Sequence, residues 1–212
     1  MLTLFEQLFL LTQYDDREKK NTLKYEKLHY GLAGSILAEL ALAGKVQLNQ
    51  KHRLEVVDAA STGDEILDRA LLELQETERP RKLTYWVVAL TGKFEKINKR
   101  LTERLVSSGV FVVEDEEMLW AIPSLVYPEQ RASAKHCMKE RLRAIVLADG
   151  VMDLRDLALL CMVNSSEMLD LVFTRDERRE ANRNIHEMLV TEALKTPAAA
   201  VLEEIHNAAD SQ

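Results

Sequence analysis

Hydrophobic side chains recur every three or four residues along most of this chain. The two clearest series are Leu28, Leu32, Ile36, Leu37 and Leu40, and, farther on, Phe94, Ile97, Leu101 and Leu105. Residues at this spacing share one face of an α-helix, so each series predicts a helix with a buried face. Beyond Pro128 the pattern is helical almost to the end, with weak breaks near Gly150, Asn164, Thr174 and Pro197.

Local signals predict several helix ends. Thr3 and Glu6, and likewise Thr62 and Glu65, have the Thr-x-x-Glu spacing of a capping box. In that motif the two side chains bind backbone N–H groups at the start of a helix. Gly44 is predicted to end the second helix, and Gly109 the helix that carries Leu101 and Leu105, because the residue after a helix often adopts the left-handed conformation that glycine tolerates.

Two short segments predict β-hairpins, the first from alternating apolar and polar residues and the second from two apolar runs on either side of a polar turn. In the first, Val46, Leu48, Leu54 and Val56 lie on either side of the polar turn 49–53. In the second, segments 110–113 and 118–122 flank the acidic turn 114–117. The pattern therefore predicts a mainly α protein, in which residues 1–212 form a single globular helical domain with small peripheral β-hairpins.

Composition narrows the class of protein. Only 7 of the 212 residues are Gly and 4 are Pro, which favours helices over a disordered chain. The formal charge of −7, from 28 basic and 35 acidic residues, argues against a nucleic-acid partner. Cys137 and Cys161 lack metal-ligand spacing and fit a reducing compartment. No signal peptide and no apolar stretch long enough to span a bilayer is recognised, so a cytoplasmic protein is expected.

Signatures of catalysis are missing from the sequence. It contains no glycine-rich phosphate loop, nucleophile elbow, His-Glu-x-x-His or Cys-x-x-Cys motif. His136 and Cys137 are adjacent, but neighbouring residues on a helix point about 100° apart and do not face each other. We therefore expect no enzyme activity, no catalytic residue, no metal and no cofactor.

The most distinctive charge feature lies between positions 79 and 104. It contains eight basic residues and two acidic ones: Arg79, Arg81, Lys82, Lys93, Lys96, Lys99, Arg100 and Arg104, against Glu95 and Glu103. Helical spacing puts Lys93, Lys96, Arg100 and Arg104 in one stripe. Such a stripe in an acidic protein fits the phosphates of a lipid or a nucleic acid. Alternatively, these side chains simply solvate an exposed helix face.

The predicted second hairpin leaves two further alternatives open. A helix followed by a hairpin resembles a winged-helix DNA-binding module, but the acidic turn 114–117 would repel phosphates where a wing approaches DNA. Leu119, Trp120 and Ile122 follow that turn. Consecutive strand residues face opposite sides, so one reading is a hairpin that is buried on both faces. The other is a protruding hairpin with an exposed apolar surface, used for self-association or at a membrane interface.

Four blocks of the sequence, in order, resemble the Golgi phosphoprotein 3 family. They are LTLFE at 2–6 with GLAGS at 31–35 and ELALAGKVQL at 39–48; TGDEILD at 62–68; Arg100-Leu101, Leu105-Val106 and Gly109-Val110; and DLRDLALL at 153–160. The resemblance implies a helical globule with a protruding hairpin, no catalysis and peripheral membrane association. In eukaryotic members it also implies phosphatidylinositol 4-phosphate recognition and retention of glycosyltransferases at the Golgi. A chain that starts at its first helix, without a basic arm, resembles a minimal, prokaryotic-type member.

The resemblance also implies a headgroup pocket formed by a Trp and an Arg around the second helix and two arginines early in the basic helix. The corresponding positions here hold Lys24, Ala33, Glu95 and Asn98. Three of these have lost the chemistry, and a carboxylate repels phosphate, so headgroup specificity is expected to be weakened or altered.

The predicted function is a non-enzymatic peripheral membrane adaptor, and the alternative is a soluble protein-interaction scaffold that has lost lipid binding. The expected partner is an anionic phospholipid headgroup, with phosphatidylinositol 4-phosphate implied by the resemblance. The candidate headgroup residues are Lys24, Lys96, Lys99 and Arg100. The candidates for an oligomer or membrane contact are Leu119, Trp120 and Ile122.

Overall fold

A computed structural model of the chain describes residues 2–12, 25–109, 112–113, 125–126, 129–148 and 150–209. At 25–26, 94–96, 98, 112–113, 125–126, 129–134 and 209 it describes the backbone alone. Nine α-helices and two small antiparallel hairpins occur within these residues. The predicted mainly α fold class is confirmed.

The elements follow one another with short connections. In chain order they are α1 (Leu4–Thr12), α2 (Tyr25–Leu42), β1 (Val46–Leu48), β2 (Leu54–Val56), α3 (Glu65–Gln75), α4 (Leu83–Thr91), α5 (Phe94–Ser107), β3 (Val112–Val113), β4 (Leu125–Val126), α6 (Glu129–Leu147), α7 (Leu154–Ser165), α8 (Arg178–Ala193) and α9 (Pro197–Ala209). A 3₁₀ turn at Leu169–Leu171 precedes α8. None of the helices in the described ranges is long and apolar enough to cross a bilayer.

Helices α2 and α7 form the centre of the core. Residues 31–41 of α2 and 156–163 of α7 are buried along their whole length, and α1 packs against both helices. The two helices approach closely at Gly31, where an added Cβ would lie 2.3 Å from the Ser166 hydroxyl oxygen. A side chain there would push the helices apart, which gives a physical reason for glycine in the segment GLAGS.

In the first three helices, the signals for helix starts and stops were right at two of three positions. At α1, the Thr3 N–H donates to Glu6 Oε2 at 2.7 Å, as in the predicted capping box. After α2, Gly44 has φ +67°, and the Lys45 N–H donates to the Leu40 carbonyl at 2.9 Å. This backward bond satisfies a carbonyl left free at the helix end and confirms the predicted stop. The third position, at α3, is described with the site.

The first hairpin is confirmed, with Val46 opposite Val56 and Leu48 opposite Leu54. In the second hairpin, Val112 lies opposite Val126 and Val113 opposite Leu125. The observed partner strand was therefore not among the predicted strands. The predicted second strand, 118–122, lies outside the described residues, and so do Leu119, Trp120 and Ile122.

Candidate functional site

Helix α5 carries most of the basic residues that the sequence singles out. Its inner face is apolar, and Leu101 and Leu105 on that face are fully buried. Gly109, with φ +66°, ends the helix as predicted, and its N–H donates to the Val106 carbonyl at 2.9 Å. The buried leucines fix the rotation of the helix, and thereby the directions in which its lysines and arginines point.

Arg104 points toward acidic residues of two other helices. Its Nη1 lies 2.5 Å from Asp64 Oδ2 at the start of α3, and its Nε lies 2.9 Å from a carboxylate oxygen of Glu6 on α1. The guanidinium also lies over the Phe5 ring, 5.2 Å from the ring centroid. Because Glu6 is only 7% exposed, Arg104 neutralises a buried charge. Its role is to hold α5 against α1 and α3.

Two more cations of the predicted stripe pair with α3. Lys93 Nζ lies 2.5 Å from Glu73 Oε1, and Arg100 forms an ion pair with Glu65. The side chains of Lys93 and Arg100 are about half exposed, so each ion pair contributes little to stability. Each pair nevertheless reduces the positive charge that this face of α5 presents to an external anion.

The four predicted headgroup candidates are therefore not equivalent. Lys99 is 79% exposed, and its Nζ lies 3.9 Å from a carboxylate oxygen of Glu103. Arg100 is held by Glu65. Lys96 lies on α5 with its backbone alone described, and Lys24 lies outside the described residues. Within the described side chains, Lys99 is the most accessible of the candidates.

The positions that the family resemblance connects with a headgroup pocket differ in their surroundings. Ala33 is 3% exposed and belongs to the core, so α2 presents no charged group at that position. Glu95 and Asn98 lie on α5 with backbone alone described, and Lys24 is outside the described ranges.

Asp64, and not Thr62, caps the amino terminus of α3, which corrects the predicted capping box of Thr62 and Glu65. Asp64 Oδ1 accepts hydrogen bonds from the N–H groups of Ile66 and Leu67, at 2.9 and 3.2 Å. Its other oxygen binds Arg104. One carboxylate thus caps α3 and anchors α5 at the same time.

Thr62 has a different role because Asp68 binds it. The Thr62 N–H and hydroxyl both donate to Asp68 Oδ1, at 2.6 and 2.7 Å, and the Ser61 hydroxyl donates to Asp68 Oδ2 at 2.5 Å. These hydrogen bonds, first from Ser61 and then from Thr62, lower the pKa of Asp68 below its ordinary value. They fold the loop that sets Asp64 in place.

A second group of cations surrounds the junction between the first hairpin and α4. We call it the junction cluster, and its members are Lys51, Arg53, Arg79, Arg81 and Lys82. The Arg53 guanidinium donates to the Pro80 carbonyl at 3.1 Å, and the Leu54 N–H donates to the Arg81 carbonyl at 2.9 Å. These bonds join two segments that lie about 30 residues apart in the sequence.

The junction cluster is available to an external anion. All five side chains are exposed, and none forms an ion pair with a residue in the described part of the chain. The carboxylates nearby are fewer: Glu76 and Glu78 lie on the same connection, Glu55 lies in the hairpin, and Glu204 of α9 lies 3.9 Å from His52 in the hairpin turn. Arg79, Arg81 and Lys82 belong to the basic segment identified in the sequence. Their position beside the hairpin could not be predicted, because the bonds that bring them there join residues far apart in the sequence.

Side chains with nucleophilic potential are placed for packing. Cys161 is fully buried, which raises the pKa of its thiol to about 12, and its sulfur donates to the Leu202 carbonyl at 3.3 Å. The Ser165 hydroxyl lies 3.3 Å from His206 Nδ1, in the contact between α7 and α9. His136 and Cys137 are both exposed on α6. No group of three or more His, Cys, Asp or Glu residues suited to a metal occurs among the described residues.

Comparisons with known proteins agree with the pattern of the sequence. The family model described as Golgi phosphoprotein 3 (GPP34) matches residues 4–208. A curated relative, the vacuolar protein sorting-associated protein 74 of Eremothecium gossypii, is 29% identical over 235 residues. That alignment covers 93% of this chain and 70% of the relative.

Proposed function

This chain belongs to the Golgi phosphoprotein 3 family, and from that premise we propose that it is a non-enzymatic adaptor that binds peripherally to anionic membranes. The observation that carries the proposal is the family match, which runs through almost the whole chain. The name of the relative from Eremothecium gossypii connects it with protein sorting. We extend that role to this chain as a link between a membrane surface and the proteins being sorted.

The distribution of charge supports attraction to anionic lipid. The chain carries −7 overall, yet α5 and the junction cluster present exposed cations such as Lys99, Arg81 and Lys82. A local basic area in an acidic protein orients it, because the remaining surface is repelled by an anionic membrane. A lysine or arginine near such a membrane contributes about 1 kcal/mol of binding free energy.

Headgroup recognition is proposed to be altered in comparison with the family pattern. The pocket positions hold Lys24, Ala33, Glu95 and Asn98, and Ala33 is buried. Without the paired arginines, bidentate binding of one phosphate is lost, and the total charge of the membrane becomes the main determinant. We expect phosphatidylinositol 4-phosphate to be bound about as well as other anionic lipids of equal charge.

The internal pairing of α5 favours a second candidate function. Lys93, Arg100 and Arg104 are all bound by carboxylates of α1 or α3. If this face serves only to hold the fold together, the chain is a soluble protein-interaction scaffold. Self-association through Leu119, Trp120 and Ile122 remains a proposal that belongs to either function.

Co-sedimentation with vesicles tests the proposed function and its site on α5. Changing Lys96, Lys99 and Arg100 together to Glu should abolish binding to phosphatidylcholine vesicles containing anionic lipid. The matched control reverses three exposed α8-side cations, Arg175, Arg178 and Arg179, and should bind as the wild type does. If both variants bind equally well, the α5 site is wrong.

A gain-of-binding variant sharpens this test. Glu65→Gln removes the partner of Arg100, and the pair is exposed, so the fold should be unaffected. The freed guanidinium should then strengthen binding to anionic vesicles several-fold, and added salt should remove the gain. A DNA duplex at equal concentration serves as a further control, and we expect no binding to it. Tight binding of DNA would contradict the proposal.

A further inference from the structure

Helix α4 is apolar on the side that faces solvent as well as on the side that faces the core. Its sequence, LTYWVVALT, contains no charged residue. Leu83, Trp86, Val87 and Leu90 are buried against the rest of the protein. On the opposite side, Tyr85 is 49% exposed and Val88 is 62% exposed.

This exposure is unusual for a helix of such composition. Helices without a polar face are normally buried, as the central segments 31–41 of α2 and 156–163 of α7 are. Exposed apolar side chains that lie next to one another usually mark a contact with another molecule. Tyr85 and Val88, three residues apart, share one face of the helix. The outward face of α4 is therefore a candidate contact surface.

The junction cluster adjoins this face. Arg81 and Lys82 directly precede the first turn of α4, and the Arg81 guanidinium lies 5.4 Å from the centroid of the Tyr85 ring. The bond from Leu54 to the Arg81 carbonyl fixes the start of α4 on the hairpin. Cations and exposed apolar side chains thus adjoin one another on one surface.

We propose that the outward face of α4 and the junction cluster together form a docking surface for an anionic lipid bilayer. Tyr85 and Val88 enter the interfacial layer, where tyrosine is favoured, and the cations bind the lipid phosphates and carboxylates. This inference rests on the proposed function in assigning a membrane partner. It goes beyond the proposed function, which rests on cations of α5 and of the junction cluster, by adding an apolar contact on α4.

Charge and shape both favour a bilayer over other occupants. A symmetric dimer across this face would bring two basic clusters toward each other, which is unfavourable. Tyr85 and Val88, at 49% and 62% exposure, stand out from the surface, which suits a flat partner better than a peptide held in a groove. An anionic bilayer accepts a protruding helix face and complements its charge.

The first test compares the same substitution at two exposed valines, one on α4 and one elsewhere. Val88→Asp should weaken binding to vesicles of phosphatidylcholine and phosphatidylserine about tenfold, because a carboxylate is repelled by the membrane and resists leaving water. Val151→Asp makes the same change at a valine that is 96% exposed between α6 and α7, and it should bind as the wild type does. Circular dichroism melting shows whether both variants remain folded.

The second test uses charge. Arg81→Glu with Lys82→Glu should weaken binding about tenfold or more. Arg178→Glu with Arg179→Glu, which changes the net charge by the same amount on α8, should leave binding within about twofold of the wild type. In a third test, Tyr85→Trp in a Trp120→Phe background should show more fluorescence quenching by brominated lipids than the Trp120→Phe parent, in which only the buried Trp86 fluoresces. An absence of additional quenching would overturn the proposal.

The remaining outcomes separate this inference from the proposed function. If Val88→Asp binds like the wild type while the triple variant of α5 loses binding, the function stands and the α4 surface is wrong. If the wild type binds no anionic vesicle, both fail. If Val88→Asp instead abolishes a dimer seen by light scattering, or abolishes only the binding of polyglutamate, and leaves vesicle binding intact, the occupant is a second copy or an acidic protein. Either result overturns the proposal.

Discussion

The cations of α5 and those of the junction cluster look alike in the sequence but have different surroundings in the structure. On α5, Arg104 lies between Glu6 and Asp64. At the junction, Arg81 has no carboxylate partner among the described residues, and its guanidinium lies over the exposed ring of Tyr85. The first arrangement stabilises the fold, and the second is open to an external anion.

The difference follows from what each segment packs against. The start of α3 is acidic, with Asp64 and Glu65 in succession, and α5 lies beside it. The start of α4 contacts the turn of the first hairpin, which contributes Lys51 and Arg53. A basic side chain beside an acidic element forms ion pairs that stabilise the fold. A basic side chain beside other basic residues stays unpaired and can bind an external anion.

The largest expected effect is a difference in stability between substitutions on the two faces of α4. Trp86→Ala removes a side chain that is 4% exposed and should lower the free energy of unfolding by ~3–5 kcal/mol. Val88→Ala, on the outward face, should change it by less than about 0.5 kcal/mol. Urea denaturation measures both values. A large loss at Val88 would show that this face is part of the core.

The next largest effect is a difference in stability between substitutions of two cations of α5. Arg104→Met leaves the buried Glu6 without a counter-ion and should cost about 2 kcal/mol, reduced from the usual value for a buried pair because Arg104 is partly exposed. Lys99→Met should lie within about 0.5 kcal/mol of the wild type, since Lys99 is 79% exposed. Equal costs for the two variants would contradict the division of α5 into structural and accessible cations.

A smaller effect concerns pH. The hydrogen bonds from Ser61 and Thr62 lower the pKa of Asp68 in the folded state, so the ionised carboxylate stabilises the fold. That contribution is complete above the unfolded pKa, near 4, and is lost as the pH falls through the lower folded value. Asp68→Asn should therefore destabilise the protein at neutral pH, and the difference from the wild type should shrink below about pH 4. A difference that stays constant down to pH 2 would contradict this assignment.

Much of the fold could be predicted from local sequence. Series such as Leu101 and Leu105 identified the buried side of α5, and Gly44 and Gly109 identified helix ends, because these features depend on neighbours within a few residues. It was harder to predict which of two nearby side chains would cap a helix. Thr62 has the spacing of a cap, but Asp68 binds its N–H and hydroxyl, and Asp64 caps α3 instead.

Less of the candidate site could be predicted, because it depends on distant partners. Nothing near Arg104 in the sequence indicates Glu6, which lies almost a hundred residues away, and nothing near Arg81 indicates the hairpin at Leu54. Helical spacing placed Arg100 and Arg104 correctly on one side of α5. It could not show that the facing helices are acidic.

The most direct test of attraction to anionic membranes is the binding of the wild-type protein to vesicles as salt is varied. We expect binding to phosphatidylcholine vesicles that contain anionic lipid, none to pure phosphatidylcholine, and a steep loss between about 0.05 and 0.5 M salt as the charges are screened. Equal binding to both kinds of vesicle, or no binding to either at low salt, would contradict it.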